Sequence, residues 1–121
     1  VALGGHVTRQ ATIHKGLEKI DFVGSDQRGP WVRWHEDFIS DAPGAIIDSA
    51  VSEAILIFHS ENAWGVQPHI ELTPETLERM AITIGVSPED YAPLVSQLGA
   101  NAATARAATL ALLDHIRLNQ A

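Results

Sequence analysis

The chain has 121 residues, with 8 Lys and Arg against 15 Asp and Glu for a formal net charge of −7, 45% hydrophobic residues and no cysteine. Length and apolar content exclude intrinsic disorder and suit one hydrophobic core, so a single domain over 1–121 is expected. The missing cysteines remove disulfides, thiolate metal sites and a cysteine nucleophile, and the acidic balance disfavours nucleic acid, whose phosphates call for clustered Lys and Arg. A basic protein partner or a cationic ligand is the better match for such a charge.

The longest strongly apolar run, Ala54 to Phe58, is far short of the roughly 20 residues that span a bilayer. No membrane association is expected. No basic-then-apolar leader opens the chain, which begins at Val1, as a processed product or an excised piece would. Compartment is left open, with the cytoplasm as the default.

In chain order, Val1 to Asp37 reads as a mixed, β-rich part punctuated by glycine. His6 to Ile13 alternates imperfectly, Lys19 to Val23 alternates better, Gly24 to Pro30 is a loop, and Trp31-Val32-Arg33-Trp34 is a short strand with both tryptophans on one face. A small hairpin or three-stranded piece follows from this, with a helical Ile13 to Ile20 as the alternative. From residue 42 onward the reading is helical. Asp41 as a cap and Pro43 in the first turn start a helix running to about Asn62. Ile46, Ile47, Ala50, Val51, Ala54, Ile57 and Phe58 form its buried stripe, with Asp48, Ser49, Ser52, Glu53 and Ser60 opposite. Gly65 and Pro68 end it.

A short repeat comes next. Thr73-Pro74-Glu75 through Ile84-Gly85 matches Ser87-Pro88-Glu89 through Leu98-Gly99. Each copy offers a hydroxyl cap, proline at the first helical position, an early carboxylate and a closing glycine. Helices are therefore expected over 74–84 and 88–98, with Asn101 capping a last, alanine-rich helix over 102–118. The stretch from Leu77 to Tyr91 resembles the later helices of repressor-type DNA-binding domains. A reading helix needs Arg, Lys, Asn or Gln, however, where Pro88, Glu89, Asp90 and Ala92 stand, so two plain capped helices are the better account.

The fold expected from these elements is α+β and mainly helical, a short N-terminal β element packed on a bundle of about four helices. The alanine-rich last helix and the apolar 45–58 segment suggest a face shared with a second copy, a homodimer.

Six histidines carry the chemical interest. A histidine oriented by a carboxylate is the commonest proton-transfer device, and His35, Glu36 and His59 are the candidate catalytic residues. The pairing expected is His59 with a carboxylate of the 35–37 run. Trp31, Trp34 and Trp64 would wall the pocket as ligand-binding residues, joined by Asp48 and Ser52, which share a narrow helical stripe with His59. For a divalent metal, His59, His69 and Glu71 are the candidate ligands, since imidazole and carboxylate are its usual donors. The metal-binding spacings of stronger motifs are missing, as are a nucleophile elbow and a phosphate-cradling loop.

Two functions follow. One is an acidic, soluble interaction or regulatory module that binds a protein partner through a charged face. The other is a small enzyme or a ligand- or metal-binding domain that uses a Trp/His/Glu pocket for proton transfer.

Overall fold

The computed structural model describes residues 4–22, 26–52, 54–61 and 63–119. The element order is β1 (His6–Phe22), β2 (Asp26–Asp41), β3 (Ile46–Val51), β4 (Ala54–Ser60), β5 (Ala63–Val66), α1 (Pro74–Thr83), α2 (Pro88–Ala100) and α3 (Ala102–Leu118). The molecule is thus mostly an antiparallel sheet with three helices, and the mainly helical bundle of four is overturned.

The error lies between residues 42 and 62, where two strands, β3 and β4, replace the long helix. Ile46, Ile47, Val51, Ile55 and Ile57 are β-branched, a side-chain type that packs well on a pleated surface and loses rotamer freedom in a helix. Glu53 and Asn62 of the expected helix lie outside the described residues, as do Val23, Gly24 and Ser25 of the N-terminal strand and loop.

The expected β piece is larger than the sequence reading made it. β1 and β2 run antiparallel almost end to end, from His6 opposite Asp41 to Phe22 opposite Asp26. Arg28, Gly29 and Pro30, expected in a loop, belong to β2. The pairing is interrupted where β1 takes five steps, Arg9 to His14, against two on β2, Asp37 to His35. Such a bulge bends the strand and sharpens its twist. The sheet order is β1-β2-β4-β3, with β5 also on β4. β2 meets β4 through Ile39 and Ile55, and further along the same edge an isolated bridge joins Val32 to His69. Among the described residues β3 pairs with β4 alone.

The three later helices stand close to their expected bounds, and α1 begins and ends on the local capping chemistry expected of it. Thr73 forms a reciprocal capping box with Thr76, and Gly85, at φ +83°, takes the left-handed conformation that follows the end of α1. Ser87 differs, since its hydroxyl donates to the Asp90 carboxylate (2.8 Å) instead of capping the backbone. Asn101 likewise makes no side-chain cap to α3, and its amide donates to the Gln97 carbonyl of α2. Gly99 stays inside α2.

The helices pack on the sheet, α3 against β2 and α2 against both β1 and β2. Phe22, Trp31, Val32, Leu56 and Ile57 of the sheet meet Leu77, Leu98 and Leu112 of the helices in one core. A single hydroxyl ties three pieces together. Thr109 of α3 accepts a hydrogen bond from the Trp31 indole (3.0 Å) and donates to the Ile70 carbonyl of the connector (2.8 Å). No helix is long and apolar enough to cross a membrane among the described residues.

Candidate functional site

The sequence-expected residues fall into separate groups. The first is built on the β3–β4 hairpin. A register shift between Ile47 and Ser49 turns Asp48 inward, and its carboxylate accepts a hydrogen bond from His59 Nδ1 on β4 at 2.7 Å. The Asp48 side chain is only 7% exposed and that of His59 19%. Trp64 of β5, directly opposite His59 in the ladder, stacks on the imidazole with ring centroids 4.3 Å apart. His115 of α3 closes the far side, edge-on to Trp64 and to Phe22.

This pairing corrects the expected one. His59 uses Asp48, a cross-hairpin neighbour, and the carboxylates of the 35–37 run go elsewhere. Asp48 anchors Nδ1, which leaves Nε2 as the ring's remaining proton site, and no hydrogen bond from a described residue reaches it. Among the described residues the buried Ser49 hydroxyl and the Trp64 indole N–H also lack hydrogen-bond partners, a costly arrangement when nothing polar replaces the lost water.

The second group lies across β1 and β2. Arg33, 3% exposed, donates through Nη1 to Glu18 (2.9 Å), and Glu18 also accepts from His14 (2.9 Å). Arg33 Nε approaches His35 Nε2 at 3.4 Å, while His35 Nδ1 donates to the Asp37 carbonyl at 3.1 Å. Accepting on one nitrogen and donating from the other requires a neutral imidazole. Burial pushes His35 below the usual histidine range, and the charges of Arg33, His14 and His69 act in the same direction. The Asp37 carbonyl opposes them. Glu36 pairs with Arg9 on the exposed side of the hairpin, and Asp37 is a second partner of that guanidinium. The hydrogen bond to Glu36, followed by the negative charges of Glu36 and Asp37, raises the affinity of Arg9 for its proton.

The tryptophans do not wall a pocket together. Trp31 and Trp34 are three positions apart on one strand, so the pleat sends them to opposite faces rather than the same one. Trp31 is in the core against Thr109, and Trp34 lies under the Lys15 ammonium, 5.2 Å from the ring centre. Ser52 sits in the exposed turn between β3 and β4.

Of the candidate metal ligands, His69 pairs with Glu71 (2.9 Å) and His59 keeps Asp48. Among the described residues no three His, Asp or Glu side chains gather closely enough to hold a metal ion.

Five surface cavities take their walls mostly from other residues. Of the ten candidate residues only Glu71 lines one, a 310 Å³ hollow between the connector and α3. A 340 Å³ cavity between the start of β1, the end of β2 and β4 is lined by Val7, Ile39, Asp41, Pro43, Phe58 and Ser60, with Gly5, His6, Ala42 and Ala45. Sequence reasoning missed it because its walls come from distant stretches.

Charge is more informative than any cavity. Between Arg33 and Arg79 the chain contains no Lys or Arg, yet it carries Glu36, Asp37, Asp41, Asp48, Glu53, Glu61, Glu71, Glu75 and Glu78. Asp37, Asp41 and Glu71 have side chains 61%, 56% and 64% exposed. The stretch from the second half of β2 to the connector thus has an excess of carboxylates in its own sequence, partly offset by Arg9 of β1 at Glu36 and Asp37 and by the burial of Asp48.

No protein-family model and no curated protein matches this chain.

Proposed function

We propose that the protein is a non-catalytic interaction module whose sheet half binds a basic protein partner. The observation that supports this reading is the run from Arg33 to Arg79, rich in carboxylates and empty of Lys and Arg. Such a field attracts a cationic surface, speeds encounter and repels acidic competitors. The histidine groups act as packing within this reading. Asp48 and His59 lock β3 to β4, and Glu18 neutralises a guanidinium that would otherwise be buried alone.

The test is a titration of the 15N-labelled protein with an octa-lysine peptide. Amide shifts are expected to concentrate in 36–61 and 69–78, and to fade as salt is raised, since surface attraction is screened over about 8 Å at physiological ionic strength. Shifts spread evenly over α2 and α3, or binding indifferent to salt, would refute the proposal.

A second reading rests on the Asp48–His59 pair, an imidazole held in one orientation by a buried carboxylate. On this reading His59 passes a proton at Nε2 to a small ligand seated beside Trp64. His59→Gln would then abolish ligand-dependent shifts in Trp64 fluorescence while His35→Gln would not.

A further inference from the structure

Within the sheet half, the 340 Å³ cavity at the start of β1 has a composition of its own. Val7, Ile39, Pro43 and Phe58 supply its apolar walls, and Asp41 and Ser60 its rim. The volume lies at the small end of ligand pockets, roughly 300–1,000 Å³, which suits one or two side chains better than a cofactor. Val7 is 51% exposed and so offers its methyl groups at the mouth. Asp41 is more than half exposed, and the His6 imidazole lies 3.5 Å from its carboxylate. Glu61, exposed, follows Ser60 in the chain but does not line the cavity. The nearest arginine of β1, Arg9, is committed to Glu36 and Asp37.

An apolar recess with one exposed carboxylate, Asp41, on its rim selects a particular occupant. We infer that this cavity seats an apolar side chain of a partner protein segment that carries Lys or Arg beside that anchor. The anchor supplies affinity by leaving water, and a neighbouring cation supplies register against Asp41. The inference rests on the interaction-module reading and narrows it to one recess and one kind of segment.

The experiment compares three peptides by titration at low salt: Lys-Lys-Phe-Lys-Lys, Lys-Lys-Ala-Lys-Lys and Glu-Glu-Phe-Glu-Glu. The lysine–phenylalanine peptide is expected to bind at least about tenfold tighter than the other two, as burying one aromatic side chain allows. Its shifts should centre on Val7, Ile39 and Phe58. Val7→Lys and Asp41→Lys change exposed side chains, leave the fold in place, and are expected to erase that preference.

Equal binding of the phenylalanine and alanine peptides would overturn the recess while leaving the acidic surface standing. No binding by either lysine peptide would overturn both. Equal binding of the glutamate peptide would overturn the role of charge. A concentration-dependent dimer that shifts the same residues without peptide would assign the recess to a second copy and overturn the inference as well.

Discussion

Gly65→Ala tests the packing of the β4–β5 hairpin at one point. Phe58 and Gly65 face each other in the ladder. A Cβ added at Gly65 would lie 2.3 Å from Phe58 Cε1 and 2.4 Å from Cζ, so the ring occupies the space a side chain would need. An aromatic ring lying over a strand glycine is a recognised device for covering exposed backbone. Alanine would force the ring away by more than 1 Å, roughly the gap to an ordinary contact near 3.5 Å. Overpacking of this kind costs about 1–3 kcal/mol. Alanine restores about 0.4–1 kcal/mol by restricting the unfolded chain at a position with no left-handed requirement. The net expectation is a loss of about 1–2 kcal/mol, or about 3–10 °C in Tm for a domain of this size. Urea denaturation with the m-value checked supplies the measurement. A double-mutant cycle sharpens it: in a Phe58→Ala background the clash is gone, so Gly65→Ala should become neutral or stabilising. A Gly65→Ala protein as stable as the parent, or the same cost in both backgrounds, would refute the packing described.

Three further outcomes are expected. Thr109→Val removes the acceptor of the Trp31 indole and the donor to Ile70, and should cost about 1–3 kcal/mol by leaving a buried N–H unpaired. Urea melts followed by tryptophan fluorescence measure it. Arg33→Ala leaves Glu18 paired only with His14; because the Glu18 side chain is 34% exposed, the loss should be about 1–3 kcal/mol, below that of a fully buried pair. His35 takes up its proton less readily in the folded chain than at the ordinary value of 6.5. Its contribution to stability is therefore complete above that pH and is lost as pH falls below it. The drop in urea midpoint between about pH 7.5 and about pH 5.5 should be smaller in His35→Gln, and an unchanged drop would contradict the assignment.

The limits of sequence reading here have physical causes. Caps act within one turn, so Thr73, Pro74 and Gly85 marked α1, and their repeat marked α2. Strand pairing is non-local, and a hairpin of two short strands placed its apolar residues at intervals that also satisfy a helical period. The β-branched isoleucines of 46–57 were the signal that should have decided between the two. Asp48 and His59 were grouped on a helical wheel, and they do touch, but through a hairpin that brings residues 11 apart face to face. Arg33 is a buried partner of Glu18, and its place between Val32 and Trp34 in an apolar strand was the available clue. Thr109, a hydroxyl set among alanines and leucines, was not singled out at all, because its partners come from β2 and the connector.

The unpaired side of β3 carries a cost in handling the protein. Ile46 and Ile47 stand 60% and 44% exposed on a strand whose outer backbone groups have no partner strand among the described residues. Mutual repulsion between molecules is what keeps such borders apart, and it vanishes near the isoelectric point of 5.2. Storage in acetate buffers near that pH should favour border-to-border stacking and turbidity, and a lysine installed at Ile46 should keep the solution clear.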